Sequence, residues 1–128
     1  MQAATEPALA AFEAYAQAFQ ALAPWAVADH FHEPALMISP DGVTATADRA
    51  AVARAYARVM ARLPAQGYVR THFSRLHARL LADDLAQVSG AGAWKTASGA
   101  DLSQFGLTYT LRRVDARWRI VVAAIHAA

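Results

Sequence analysis

The sequence predicts an α+β fold, with helices gathered on one face of a mainly antiparallel sheet. Three observations carry that prediction. Helical three- and four-residue spacing of apolar side chains is confined to the stretch before Pro64. From Tyr68 to His126 the chain reads as four long strands joined by turns too short to hold crossover helices, so neighbouring strands must run antiparallel. With 128 residues there is material for one domain, taken here as residues 1–128. Helices layered on one side of such a sheet give the α+β arrangement.

Leu9, Phe12, Tyr15, Phe19 and Leu22 define the first amphipathic helix, with Thr5 as its expected N-cap and Pro7 in its first turn. Pro24 ends it and opens a short second helix expected to carry Trp25, Val27 and Phe31. Pro34–Ser39 reads as a short apolar strand closed by the turn Pro40-Asp41-Gly42, and Thr44–Thr46 as a strand returning beside it. Asp48 is the expected N-cap of a third helix, 49–63, which buries Val52, Ala55, Tyr56, Val59, Met60 and Leu63. Arg54, Arg58 and Arg62 recur along another side of this helix and read as a solvated face, with a basic docking surface as the lesser alternative. The strands then run Tyr68–Leu81, Leu85–Thr96, Leu102–Val114 and Arg117–His126. Alternation in the last strand sets Trp118, Ile120, Val122, Ala124 and His126 on one face. Arg119, Val121, Ala123 and Ile125 take the other, and beyond Arg119 that second face is apolar too. A sheet with helices on one side and an apolar outer face on the other is expected to pack against a second copy, giving a homodimer.

Composition excludes several classes. Hydrophobic residues make up 56% and charged residues 17%, the reverse of a disordered chain. About a quarter of the residues are alanine, which buries little area, so the larger side chains must supply the core. The net charge of +2 is a weak field with no basic stripe, so nucleic acid is not an expected partner. There is no cysteine, hence no disulfide framework and no thiolate site, which suits a cytoplasmic location. The N-terminus lacks the positive region of a signal peptide, and no apolar run is long enough to span a bilayer, so a membrane is not expected either.

The motifs Phe31-His32-Glu33-Pro34-Ala35-Leu36-Met37, Ser39-Pro40-Asp41-Gly42, Asp48-Arg49-Ala50-Ala51-Val52 and Trp118-Arg119-Ile120-Val121-Val122 occur in this order along nearly the whole chain. In that order and spacing the sequence resembles the nuclear-transport-factor-2-like superfamily, and within it the SnoaL-like and ketosteroid-isomerase-like branches. The resemblance implies a cone-shaped fold in which a curved sheet wraps a pocket roofed by the three N-terminal helices, usually as a homodimer. It implies no single reaction, because one fold hosts many functions. It aligns Tyr15 with a helical tyrosine that donates to an oxyanion, and Tyr109 with the strand position of a second oxyanion donor. Ser39 falls where such enzymes carry the carboxylate base, and serine cannot abstract a proton unaided. The oxyanion half of a site is thus implied without its base.

Histidine is the other acid–base resource. His126 shares the phase of Trp118 and Ile120 and is expected to point inward near a pocket mouth. His72 and His77 lie in opposite phases of one strand, and the pattern leaves open which faces inward. His30 and His32 form a pair without a third ligand at a recognisable spacing, so no metal is expected. Glu33 is the one acid in an otherwise apolar strand and reads most simply as an exposed strand-start residue. The candidate catalytic residues are therefore Tyr15, Tyr109, His126 and His72. Phe19, Trp25, Met37, Ser39, Tyr56, Trp94 and Phe105 are the candidate ligand-binding residues of an apolar pocket. For Phe19, core packing is the simpler reading. Gly90, Gly92 and Trp94 share one face, and the glycines suit a bulge or a close backbone approach. The chain has no Gly-x-Gly-x-x-Gly, Walker or Gly-x-Ser-x-Gly motif, and no cofactor is expected.

The expected function is a pocket for a small apolar or aromatic ligand. Its enzymatic form is an isomerase, dehydratase or cyclase using tyrosine and histidine. The alternative is a non-catalytic ligand-binding or dimeric interaction module.

Overall fold

A computed structural model describes the backbone of residues 2–128 and the side chains of residues 5–128. Helices α1 (Gln2–Gln20), α2 (Pro24–Ala28) and α3 (Arg49–Arg62) pack on one face of a six-stranded sheet. Its strands are β1 (Phe31–Ser39), β2 (Gly42–Thr46), β3 (Tyr68–Ala82), β4 (Leu85–Thr96), β5 (Asp101–Val114) and β6 (Arg117–His126). They lie in the order β2-β1-β6-β5-β4-β3, and every pairing is antiparallel except β1 with β6. The α+β arrangement expected from the sequence is present.

Three local details depart from expectation. Helix α1 starts upstream of Thr5, because Gln2-Ala3-Ala4 are good helix formers; Thr5 lies inside the helix and Pro7 in its second turn. Phe31 opens β1 and does not belong to α2, which ends at Ala28. The last strand is not regular. Leu111 pairs with Ile120 and Thr110 with Val122, so Val121 is an extra residue that reverses the alternation beyond it. Ile120 and Ala123 are both buried in the core, and Val122, Ala124 and His126 fall on the outer face. Similar irregularities occur in β1 between Phe31 and Leu36 and in β3 between Ser74 and His77, where Arg75 takes a left-handed φ of 56°. Each added residue bends its strand and increases the local twist, curving the sheet around α1 and α3.

The core is aromatic where the helices meet the sheet. Phe12 on α1 touches Tyr15, Phe73 and Tyr109 at ring-centroid distances of 5.7, 5.5 and 5.1 Å. Buried alanines such as Ala8, Ala28, Ala53 and Ala86 let the layers approach, and the rings supply the area. A fully buried Phe or Leu contributes about 1.5–3 kcal/mol.

Helix α3 is fixed at both ends. The Asp48 carboxylate accepts from the Ala51 N–H at 2.9 Å, as expected of an N-cap. The Glu33 carboxylate accepts from the Arg49 N–H at 2.7 Å, while the Arg49 side chain pairs with Asp29. At the other end a 3-10 turn, Pro64–Gln66, leads to Gly67, whose φ of 89° favours glycine.

On the outer face the central strands carry Gln87, Ser89, Thr108 and Thr110. Exposed large apolar side chains lie at both edges of the sheet, Leu36 and Val43 on β1 and β2 and Val69 and Leu81 on β3. On β6 the bulge turns Ala123 and Ile125 inward and puts Val122, Ala124 and His126 on the outer face in their place.

Candidate functional site

Between α1, α3 and the concave face of the sheet lies a cavity of about 1230 Å³ that opens to solvent. Three of the chain's four tyrosines line it: Tyr15 from α1, Tyr56 from α3 and Tyr109 from β5. Their hydroxyls form a chain. Tyr15 Oη lies 2.6 Å from Tyr109 Oη and 3.1 Å from Tyr56 Oη. All three rings are buried in the core.

Proton counting gives this chain a definite capacity. Each hydroxyl carries one donor proton. Three protons serve two hydrogen bonds, so one O–H is left over whichever way the bonds run. The three residues that share it all line the cavity. Burial raises all three tyrosines, so the protons stay in place at neutral pH. Tyr15 and Tyr56 rise well above the usual value, pushed first by burial and then by the charge that neighbouring tyrosinates would carry. Tyr109 is pushed up by burial to about 12 and held from rising further by the adjacent Tyr15 and Tyr56 hydroxyls.

The walls beside the tyrosines are aromatic. Phe19 stacks on Trp94 at 5.8 Å, and Trp94 meets Phe105 edge-on at 6.0 Å. Gly92 makes this wall possible. A Cβ at that position would lie 2.6 Å from the Phe105 ring, so only a glycine lets the ring rest on the sheet. Met37 and Ser39 from β1 complete the opposite side. Ser39 holds the β1–β2 turn, its hydroxyl accepting from the Asp41 N–H at 3.2 Å.

Of the expected site residues, Tyr15, Tyr109, Phe19, Met37, Ser39, Tyr56, Trp94 and Phe105 meet at this cavity. Three others do not belong to its interior. Trp25 is 53% exposed on the far side of α2, with the Arg49 guanidinium 4.7 Å above its ring. The five-residue α2 has one inward face, taken by Val27 and Ala28, which turns Trp25 outward. His72 is exposed on the outer face of β3, opposite Ala93, because the inward phase there belongs to Thr71 and Phe73. His126 reaches the rim of the cavity, but its ring lies on the outer face. It occupies the space that a Cβ on Gly106 would fill, accepts from the Thr108 hydroxyl at 3.0 Å and donates to the Ala127 carbonyl at 2.8 Å. The bulge at Val121 accounts for this reversal.

Glu33 is committed to the start of α3. His32 donates from Nδ1 to the Pro34 carbonyl and faces Arg112 through Nε2. The half-buried His30 has its pKa lowered, mainly by desolvation. Among the described residues the one carboxylate lining the cavity is Asp41, on the turn at its rim.

Sequence reasoning missed Phe12 and Phe73, which line the cavity from α1 and β3. Arg54, Arg58 and Arg62 are all exposed, as a solvated face requires. Arg58 and Arg62 line the cavity and Arg54 does not. Each four-residue step advances about 40° around a helix of 3.6 residues per turn. A row spaced by four therefore slides across the helix surface, from solvent at Arg54 to the cavity mouth at Arg62.

Fold and site together define a small cone-shaped α+β protein with a hydrogen-bonding pocket. A family model described as NTF2-like protein (DUF6841) matches residues 5–128, and the chain belongs to that family. No curated protein matches the sequence. Among solved structures, the chain is similar to an NTF2-like protein with a cystatin-like fold from Novosphingobium aromaticivorans. That match has 18% identity and a TM-score of 0.78, covering 95% of this chain and 80% of the other. An NTF2-like protein of unknown function from Shewanella oneidensis MR-1 matches at 16% identity and TM-score 0.74, covering 95% and 98%. A candidate dehydratase of the NTF2-like family from Streptomyces avermitilis matches at 16% identity and TM-score 0.75, covering 97% and 95%. At these identities the likeness is one of fold. Among the described residues no helix is long and apolar enough to cross a membrane.

Proposed function

We propose that the cavity binds a small, largely apolar ligand whose carbonyl oxygen accepts the spare proton of the Tyr56–Tyr15–Tyr109 chain. The observation that carries this reading is the surplus donor itself, held by hydroxyls 2.6 and 3.1 Å apart beneath an aromatic-walled cavity. Donors fixed in a site poor in water interact strongly with a carbonyl oxygen, and more strongly with an oxyanion. Among the described residues no carboxylate or inward-facing histidine adjoins the tyrosines, which supports recognition of the oxygen over proton abstraction by the protein. A second reading, an enzyme that polarises the carbonyl and takes its base from the substrate or from water, is favoured by the likeness to a candidate dehydratase.

The test uses 2-acetylnaphthalene and infrared spectroscopy. The C=O stretch of the bound ketone is expected below its frequency in water. Tyr56→Phe or Tyr109→Phe leaves one surplus proton and Tyr15→Phe leaves two, so the decisive protein is Tyr15→Phe/Tyr56→Phe/Tyr109→Phe. In it the shift disappears and affinity falls about tenfold, the equivalent of one hydrogen bond of about 1.4 kcal/mol. An unshifted ketone, or equal affinity in the triple variant, overturns the reading.

A further inference from the structure

We propose that Arg58 and Arg62 make the mouth of this cavity an anion site, and that its ligand is an amphiphilic aromatic carboxylate. The acid group would sit at α3 while the apolar body extends inward toward the tyrosines. This rests on the ligand pocket argued above and adds the chemical class of what enters it.

Four observations converge. Ala55, Arg58, Val59 and Arg62 recur at i, i+3, i+4 and i+7 and all line the cavity, so the two arginines occupy one edge of α3 a single turn apart. Neither is spent on a protein partner. Among the described residues the ion pairs are Arg49–Asp29 and Lys95–Asp101, so the guanidinium groups at the mouth have no carboxylate of their own. The acid nearest in the lining, Asp41, belongs to the turn at the end of β1 and is outnumbered two to one. Finally, the lining combines polar and aromatic surface. Gln66 and Thr71 join the arginines in the lining, while Phe12, Phe19, Trp94 and Phe105 supply aromatic surface beside the hydroxyls. A neutral apolar ligand would leave two cations idle at the opening. An acid with an aromatic body uses both ends, and a planar guanidinium matches a carboxylate with two parallel hydrogen bonds.

The experiment compares 6-acetyl-2-naphthoic acid with its primary amide by isothermal titration calorimetry. The two probes share a ketone and a ring system and differ in one charge. At low ionic strength the acid is expected to bind about tenfold more tightly than the amide, the combined effect of two exposed charge pairs. In 0.5 M sodium chloride the margin collapses toward unity, because such pairs are screened. Arg58→Gln/Arg62→Gln brings the acid down to the amide's affinity, whereas Arg54→Gln leaves the margin as it was. Equal affinity of acid and amide for the wild-type protein overturns the proposal, as does a margin that survives in the double variant or at high salt. Should the double variant fail to fold, the salt dependence of the wild-type margin decides between the two outcomes. Binding of neither probe overturns the pocket reading beneath it. A margin that persists while the triple Tyr→Phe protein binds both probes normally leaves the anion site standing and removes the role of the tyrosines.

Discussion

Tyr15→Phe is the most informative single substitution, because it removes the middle of a three-hydroxyl chain. The Tyr15 hydroxyl makes both hydrogen bonds, at 2.6 and 3.1 Å, so its loss leaves Tyr56 and Tyr109 without their protein partner. With about 1 kcal/mol net for each bond, the cost is about 2 kcal/mol, against about 1 kcal/mol for Tyr56→Phe or Tyr109→Phe. A chain of 128 residues has an unfolding entropy of about 0.27 kcal/mol/K, so these costs correspond to Tm losses of about 7 °C and about 4 °C. The triple Tyr→Phe protein behaves differently. Simple addition gives about 4 kcal/mol, but a set of apolar rings of the same shape leaves no hydroxyl unpartnered, so its net cost is expected near 1 kcal/mol. The triple variant should therefore melt above Tyr15→Phe. Thermal unfolding followed by circular dichroism, with urea titration as a second measure, tests this order. Additive losses, or a Tyr15→Phe protein that melts with the wild type, would show that water already serves these hydroxyls and that they do not act as a unit.

Two further outcomes follow from the same site. Folding raises the pKa of the three buried hydroxyls, so the native state keeps protons that the unfolded chain releases above about pH 10. Their stabilising contribution is complete below that pH and is lost as pH climbs through the native values, about 12 for Tyr109. Unfolding free energy from urea titration should fall from pH 10 to 11 by up to about 1.4 kcal/mol per tyrosine, and a value that does not move would refute the assignment. Gly92→Ala would drive a methyl group into the Phe105 ring, 2.6 Å away, at a cost of about 1–3 kcal/mol. The ring's escape is into the cavity, so melting temperature and 2-acetylnaphthalene affinity should fall together, and a loss of neither would contradict the close contact.

Much of this architecture is legible in the sequence, because periodicity reports burial directly. The stripe Phe12, Tyr15, Phe19 and the α3 set around Tyr56 mark the inward faces, and they carry two of the three hydroxyls. Asp48 is recognisable as a cap because an aspartate before a helical run has a specific N–H to accept from. The failures have separate physical origins. A bulge adds a residue without any signature in residue type, so alternation counted through Val121 sends His126 to the wrong side of β6. Trp25 misleads because an aromatic ring is as well served by a guanidinium at the surface as by a pocket.

The irregular positions in β1, β3 and β6 also divide the interior in two. Before them lie Phe31, Leu76 and Ile120, in the solid part of the molecule; beyond them Met37, Phe73 and Ile125 border empty space. The protein therefore has a keel and a hold. Trimming side chains in the keel erodes stability through lost contacts. Trimming them in the hold enlarges capacity at little structural expense, because those atoms already lack neighbours on one side. Selection can thus reshape the hold without reopening the question of whether the chain folds.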